Sequence, residues 1–200
     1  LEIIFIIPFF SISLLSRASK KRLDIGIGPE PLINNIYFKK SLNLINIDSE
    51  TFVTHTYHIT NNFDRIFQDI KILNFIIFPA SMRAFLSAIF KYKILFIYFN
   101  GGPLFNTRIL SKFEPFFYKL SNLKIIAFPY GGDVQDLTRT SNLLLKNSII
   151  KSYPVFRKIR KKVSSNIDRW SKHADLVVSG CEWVDYMHGW DLLTPAHFTM

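Results

Sequence analysis

The sequence predicts an α/β fold in which a parallel β-sheet carries helices on both faces. Short apolar runs, of which 93–99 and 125–130 are the clearest, lack the polar alternation of a half-exposed strand. They therefore suit strands that are covered on both sides. Glycine-bearing loops and helical periodicity follow several of these runs. Parallel strands joined by right-handed crossovers are the natural architecture for that order.

Each predicted strand is a run of apolar, β-branched or aromatic residues bounded by turn residues. The predicted strands are 23–28, 50–57, 74–79, 93–99, 125–130 and 174–179. The run 74–79 is closed by Pro79, and it is expected as the third strand in the series. The sequence therefore supplies enough strands for one sizeable sheet.

The predicted helices have apolar residues that recur on one face. They cover 34–43, 82–90 and 155–170. Asn34 or Asn35 is available to cap the first of them. A break at Glu114 and Pro115 permits only a short helix through Leu120, and an irregular segment is expected up to Lys151.

The last predicted strand ends in "SGCE", which matches a capping box. Ser179 would cap a final helix, and Glu182 would reach back to the backbone N–H of the cap. A structural role of this kind is also open for Asp133 and Asp136, which flank a glycine pair.

Composition limits the function classes. The chain has 200 residues and is 48% hydrophobic, which is enough for a sizeable core and argues against disorder. The single cysteine, Cys181, excludes an intramolecular disulfide and fits a reducing compartment. The five histidines show no metal-ligand spacing, and neither a dinucleotide fingerprint nor a Walker motif is present in the sequence, so neither a metal nor a bound cofactor is expected.

The chain is strongly basic, with a formal net charge of +10. Two clusters, 17–22 and 151–162, carry much of this charge. Basic clusters seek phosphates, either in nucleic acid or at an anionic membrane surface, and the alternative for each is a solvated face. No basic-aromatic RNA-binding motif is present in the sequence, so nucleic acid is not the expected partner.

The first 22 residues form an apolar and basic leader. Its apolar part is 15 residues long, short of the roughly 20 that span a bilayer. Three interpretations stay open: a membrane-associated segment, a buried element of the domain, or a non-native leader. Residues 23–200 are expected to form the main domain.

Three predicted strands exit into glycine-bearing loops, at 26–31, 100–103 and 130–134. If the sheet is parallel, these loops share its carboxyl edge, where ligands bind in open α/β sheets. Asp133 is the candidate catalytic base, or alternatively a residue whose carboxylate accepts hydrogen bonds from sugar hydroxyls. The candidate substrate-binding residues are Gly28, Asn34, Asn35, Asn100, Gly101, Gly102, Tyr130, Gly131, Gly132 and Glu182.

Four segments together resemble a known family. These are "DIGIGPEPLINNIYFKKSLN", "KYKILFIYFNGGPLF", "KIIAFPYGGDV" and "ADLVVSGCEWVDYM". In that order they are similar to the amino-terminal half of a family 4-like glycosyltransferase of the two-Rossmann-domain (GT-B) type. Tyr130 stands where such enzymes often carry histidine, and Gly132 where they often carry serine.

The resemblance implies a Rossmann-like, acceptor-side domain of a sugar transferase. It also implies a nucleotide-sugar donor as co-substrate, a saccharide or lipid-linked acceptor, and a carboxyl-terminal donor domain that is missing from this chain. The expected process is synthesis of a cell-surface polysaccharide or glycolipid. The alternatives are a non-catalytic Rossmann-like interaction domain and a basic nucleic-acid-binding protein.

A lipid-linked acceptor would place the enzyme in the cytoplasm, at the inner face of the membrane. The predicted helix 155–170 has the basic amphipathic character that would hold it on an anionic membrane surface. The candidate membrane-binding residues on it are Arg157, Lys158, Lys161 and Lys162.

Overall fold

The structure is a computed structural model that describes residues 2–21, 23–57, 60–72, 75–180, 183–184, 187 and 189–194. The strands are β1 (Leu23–Ile27), β2 (Ser49–Val53), β3 (Arg65–Ile66), β4 (Ile70–Ile72), β5 (Phe75–Phe78), β6 (Tyr92–Tyr98), β7 (Lys124–Phe128), β8 (Leu176–Gly180) and β9 (Leu192–Thr194). The helices are α1 (Ile6–Ser16), α2 (Asn34–Leu44), α3 (Ala80–Lys91), α4 (Leu110–Leu120), α5 (Leu143–Ser152) and α6 (Val155–His173), and a 3-10 turn, Glu2–Phe5, precedes α1.

Seven strands form a parallel sheet flanked by helices, in the order β3-β2-β1-β6-β7-β8-β9. This confirms the predicted Rossmann-like α/β fold. The chain winds outward from β1 to β3, returns to pair β6 with β1, and then winds outward in the other direction. Such an order has its topological switch point between the two central strands, here β1 and β6.

The chain divides into two compact units. Among the described residues, the first contains 2–97 and 101–125, and the second contains 98–100 and 126–194.

The first unit is held together by aromatic side chains from three helices. Phe9 of α1 is 2% exposed, stacks on Phe85 of α3 at 5.0 Å and meets Phe117 of α4 edge-on at 5.8 Å. Glu2 accepts hydrogen bonds from the backbone N–H groups at the start of α4, including that of Ile109 at 2.6 Å. Burial alone would raise the pKa of the Glu2 carboxyl. The N–H donors favour the charged form and more than offset this effect, so the pKa lies below its usual value.

The second unit contains α5 and α6 beside β8. The periodicity predicted for α6 is confirmed over most of the helix, because Val163, Ile167 and Trp170 are buried. Its first turn differs, since Val155 is 55% exposed. α5 starts at a conventional cap, where the Asn142 side chain accepts a hydrogen bond from the backbone N–H of Leu145 at 3.0 Å.

The prediction that 74–79 is the third strand of the parallel series is wrong. Its core becomes β5, which pairs antiparallel with β4 in a separate two-stranded sheet. The strand next to β2 in the main sheet is β3, which has only two residues, both exposed. β5 pairs with β4, its neighbour in the sequence, instead of joining the main sheet.

Two helix predictions also need correction. Pro115 lies inside α4 instead of breaking it, so the helix begins at Leu110. The segment expected to be irregular up to Lys151 contains α5.

Neither predicted cap is present. Ile33 occupies the N-cap position of α2 without a capping hydrogen bond from its side chain, and neither Asn34 nor Asn35 caps the helix, because both already lie within it. Ser179 does not cap a helix, since it belongs to β8 and its hydroxyl donates to the Gly180 carbonyl. Glu182, its expected partner, lies outside the described residues.

In the described part of the chain, no helix combines the length and the apolar character needed to cross a bilayer.

Candidate functional site

The switch point of the sheet lies at the exits of β1 and β6. The two strands run parallel, with Ile25 opposite Ile94 and Ile27 opposite Phe96, and the backbone N–H of Gly28 extends the ladder to the Phe96 carbonyl at 3.2 Å. The loops after β1 and β6 therefore leave the sheet at the same carboxyl edge. In doubly wound sheets, ligands bind outside this edge at the switch point.

The loop after β1 is closely packed against the neighbouring strand. A Cβ at Gly28 would lie 2.1 Å from the Phe52 carbonyl oxygen of β2, so only glycine fits there. Asn35 is fully buried, and its amide donates to the Glu30 carbonyl at 2.7 Å. Asn34 is exposed. Gly28 and Asn35 therefore have structural roles, while Asn34 is accessible to solvent.

The loop after β6 contains Gly101 and Gly102, and both positions require glycine for internal reasons. Gly101 has a φ of +123°, which side chains rarely adopt. A Cβ at Gly102 would lie 2.2 Å from the Tyr118 hydroxyl and 2.7 Å from Oε1 of Glu114.

Glu114 and Tyr118 together hold this loop. Oε1 of Glu114 accepts hydrogen bonds from the backbone N–H of Leu104 at 2.8 Å and from the Tyr118 hydroxyl at 2.7 Å. Both side chains are almost completely buried. Burial and the adjacent Glu114 carboxylate raise the pKa of Tyr118 well above its usual value, so the hydroxyl stays a donor.

Asp133 organises the loop after β7. Its Oδ1 accepts hydrogen bonds from the backbone N–H groups of Tyr130 and Gly131, both at 3.0 Å. Its Oδ2 accepts one from the backbone N–H of Phe99, also at 3.0 Å. The residue is 2% exposed, and burial raises the pKa of its carboxyl to about 7 against the opposing effect of the N–H donors.

This geometry also differs from a helix cap. A capping side chain accepts from N–H groups two or three residues later in the chain, whereas Asp133 accepts from earlier ones. Asp136 instead forms a local turn, in which its Oδ1 accepts from the N–H and the hydroxyl of Thr138. The carboxylate of Asp133 therefore positions the backbone of two chain segments.

Asn100 and Tyr130 are brought together at this loop. The Asn100 amide donates to the Tyr130 hydroxyl at 2.9 Å, and the Tyr130 ring packs edge-on against Tyr98 at 5.4 Å. Tyr130 is 37% exposed, so part of its side chain is accessible to solvent. Asn166 of α6 adds a longer contact of 3.5 Å to the Asn100 carbonyl.

The two glycines of this loop differ. Gly131 has a φ of +123°, and a Cβ there would lie 3.0 Å from the Trp183 ring. Gly132 is not in the left-handed region, and its Cβ would find only ordinary contacts, the nearest at 3.6 Å from Phe156. Gly132 is partly exposed, and no internal contact requires glycine at this position.

The residues Asn100, Tyr130, Gly131, Gly132 and Asp133 thus form one site around the loop after β7, which we call the Tyr130 loop site.

Three residues that hold these loops were not predicted as site residues from the sequence, namely Glu114, Tyr118 and Asn166. The spacing of Glu114 and Tyr118, four residues apart on one helix face, was the available signal. Arg157, Lys158, Lys161 and Lys162 are exposed on α6, as a solvated or membrane-facing cluster requires.

No group of three or more histidine, cysteine, aspartate or glutamate side chains with metal-binding geometry occurs within the ranges that the structure describes. The polar groups in the Tyr130 loop site are the Asn100 amide, the Tyr130 hydroxyl and the Asp133 carboxylate, which accepts the backbone N–H groups of the loop. Groups of this kind bind hydroxyl-rich or phosphate-bearing ligands by hydrogen bonds.

Comparison with known proteins gives no match: no protein-family model, no curated protein and no solved structure is similar to this chain. Any functional proposal therefore rests on the sequence resemblance, the fold and the site.

Proposed function

We propose that this chain is the acceptor-side domain of a glycosyltransferase that transfers a sugar from a nucleotide-sugar donor to a saccharide or lipid-linked acceptor. The proposal combines the resemblance in the sequence with the doubly wound sheet. It places the enzyme in the cytoplasm at the inner face of the membrane, in the synthesis of a cell-surface polysaccharide or glycolipid.

The observation that carries the proposal is the Tyr130 loop site at the carboxyl edge. A Cβ at Gly132 would make only ordinary contacts, at 3.6 Å to Phe156 and 3.9 Å to Tyr130, so the glycine leaves room for a small group beside the partly exposed Tyr130 ring. An aromatic ring beside open backbone suits a sugar ring, since the apolar face of the sugar packs on the aromatic ring and the hydroxyls meet the polar groups.

In this proposal the residues have separate roles. Tyr130 and Asn100 contact the acceptor, and Gly132 allows its close approach. Asp133 is a positioning residue, since both of its oxygens already accept backbone N–H groups. The predicted role of Asp133 as a catalytic base stays a prediction, and it requires one of these bonds to exchange for a bond to the acceptor.

Ligand binding by the chain tests the proposal. Saturation-transfer NMR with a panel of hexose disaccharides, a polyprenyl-phosphate sugar and nucleotide hexoses should give binding by at least one saccharide-bearing compound. Gly132→Val should abolish this binding without changing the unfolding midpoint, whereas Gly132→Ala should weaken it less. Absence of binding by every compound, or equal binding by Gly132→Val, would contradict the proposal.

A non-catalytic interaction domain is the second candidate, and the complete engagement of the Asp133 carboxylate favours it. Transfer assays distinguish the two. A radiolabelled nucleotide hexose and a polyprenyl-phosphate acceptor should give labelled product if the chain, alone or with a donor domain supplied in trans, is a transferase. Saccharide binding without transfer under both conditions would support the interaction domain.

A further inference from the structure

The amino-terminal segment of the first unit has two apolar faces, and among the residues that the structure describes only one of them is covered by protein. Phe9, Ser13 and Ser16 are buried where α1 packs against α3 and α4. The opposite face is exposed, and from residue 3 to residue 15 Ser11 is its only polar residue. The exposed large apolar residues of this face are Ile3 (66%), Ile4 (71%), Ile7 (77%), Leu14 (55%) and Leu15 (70%).

This face is unusual for a helix on a water-exposed surface. Such helices normally carry polar residues opposite the face that packs on the core. The exposed residues recur at helical spacing, so they form one continuous stripe instead of scattered single side chains. A contiguous apolar surface of this kind marks an interaction site. We call it the α1 apolar face.

A basic surface continues directly from the end of α1. Arg17 and Lys20 are exposed, and neither has an acidic partner among the residues that the structure describes. Two clefts open here on the first unit, of about 890 and 350 Å³, and both are lined by Ser19 and Lys21. The other cations that line these clefts are Lys20, Arg65 and Lys91 in the larger, and Arg17, Lys93 and Lys124 in the smaller.

Few acids offset these charges. Glu50 contacts Lys91 and lies 3.9 Å from Arg65, and Asp24 contacts Lys93 at 2.6 Å. These two carboxylates contact three of the seven cations that line the clefts, while Arg17 and Lys20 form no ion pair in the described part of the chain. The cleft linings therefore carry a positive surplus, and Lys21, Lys93 and Lys124 lie at the amino ends of β1, β6 and β7.

We propose that the α1 apolar face and these basic clefts form one docking surface for an anionic phospholipid bilayer. The apolar side chains lie in the interface between acyl chains and headgroups, and the headgroup phosphates enter the basic clefts. An interfacial helix with an adjacent cluster of cations binds membranes in this way, without spanning them.

Charge favours a bilayer over a second copy of the chain. A two-fold symmetric dimer through the α1 apolar face would bring together two copies that each carry the same positive surplus next to that face. Like charges at an interface disfavour association, whereas an anionic bilayer offers the opposite charge. This inference does not depend on the proposed transferase activity.

Sedimentation with vesicles tests the docking surface. The wild-type chain should bind vesicles that contain an anionic phospholipid more strongly than phosphatidylcholine vesicles. The triple variant Ile4→Ser, Ile7→Ser, Leu15→Ser should bind at least about tenfold more weakly, since burying even one such side chain contributes about that factor. Leu44→Ser with Ile45→Ser is the matched control, because these two residues are also exposed but lie at the end of α2.

The charged part of the surface is tested separately. Arg17→Gln with Lys20→Gln should weaken binding to anionic vesicles, and it should reduce the dependence of binding on salt. The comparison variant replaces Arg157, Lys158, Lys161 and Lys162 with Gln. When the triple apolar variant is made in this background, it should weaken vesicle binding by the same factor as in the wild-type chain, because α6 does not carry the α1 apolar face.

Hydrogen exchange provides a measurement that needs no variant. Backbone amides of residues 3–21 should exchange more slowly when anionic vesicles are present. Any of three results would overturn the proposal. The wild-type chain could fail to bind vesicles, the triple apolar variant could bind as well as its control, or exchange over residues 3–21 could stay unchanged. A dimer in solution that the triple variant dissociates, without vesicle binding, would assign the face to a second copy instead.

Discussion

The carboxylate of Asp133 accepts a hydrogen bond at 3.0 Å from the backbone N–H of Phe99, which lies 34 residues earlier in the chain. The same carboxylate accepts from Tyr130 and Gly131. One side chain therefore fixes the backbone that follows β6 relative to the backbone that follows β7. The Tyr130 loop site depends on this arrangement, whatever ligand it binds.

Replacing Asp133 with asparagine should destabilise the fold by about 1–3 kcal/mol, the cost of leaving a buried donor unsatisfied. Three N–H groups point at two carboxylate oxygens, and an asparagine amide would present an NH₂ group to at least one of them. Chemical denaturation measures the change. Asp48→Asn is the control, since Asp48 is exposed and should change the free energy of unfolding by less than about 0.5 kcal/mol.

The raised pKa of Asp133 predicts how stability depends on pH. The pKa is about 7 in the folded chain against an ordinary value of 3.8, so the folded state binds more protons between these values. The free energy of unfolding should therefore rise as the pH falls from about 8 to about 5, by at most about 3 kcal/mol from this group. Asp133→Asn should lose this contribution, which subtraction of the two profiles isolates. A contribution of the opposite sign would mean that the three N–H donors outweigh burial.

Gly102 and Tyr118 should be energetically coupled. Gly102→Ala alone should cost about 2–4 kcal/mol, because its Cβ would overlap the Tyr118 hydroxyl at 2.2 Å. Tyr118→Phe removes that hydroxyl and its bond to Glu114, at a cost of about 1 kcal/mol.

The double variant should be more stable than the sum of the two single changes predicts, by about 1 kcal/mol or more. The relief is partial, since Oε1 of Glu114 would still lie 2.7 Å from the new Cβ. Strict additivity in a denaturation double-mutant cycle would show that the overlap is relieved by movement of the loop.

The sequence was sufficient to predict the strands that carry an apolar run, and the parallel sheet they form. β1, β6, β7 and β8 all lie within predicted strands or overlap them. β3 could not be predicted, because two exposed residues give no apolar pattern. β5 has the apolar pattern of a sheet strand, but its pairing with β4 is decided by a local neighbour rather than by composition.

The position of the site could be predicted from the sequence, but the contacts that explain each of its residues could not. Glycine pairs after apolar runs indicate loops at the carboxyl edge. The reason for each glycine depends on atoms that are distant in sequence, such as the Phe52 carbonyl beside Gly28 and the Tyr118 hydroxyl beside Gly102. The same applies to Asp133, whose partner Phe99 cannot be inferred from spacing.

Gly131 and Gly132 should respond differently to the same substitution. Gly131→Ala should cost about 1–3 kcal/mol, since its φ of +123° disfavours a side chain and the Cβ would press on Trp183. Gly132→Ala should change stability by less than about 1 kcal/mol, because the nearest atom would be 3.6 Å away. Thermal or chemical unfolding measures both. Equal destabilisation would mean that the backbone at Gly132 is as constrained as at Gly131. The space beside Tyr130 would then serve folding, and the Tyr130 loop site would lose the feature that distinguishes it as a place where a ligand approaches.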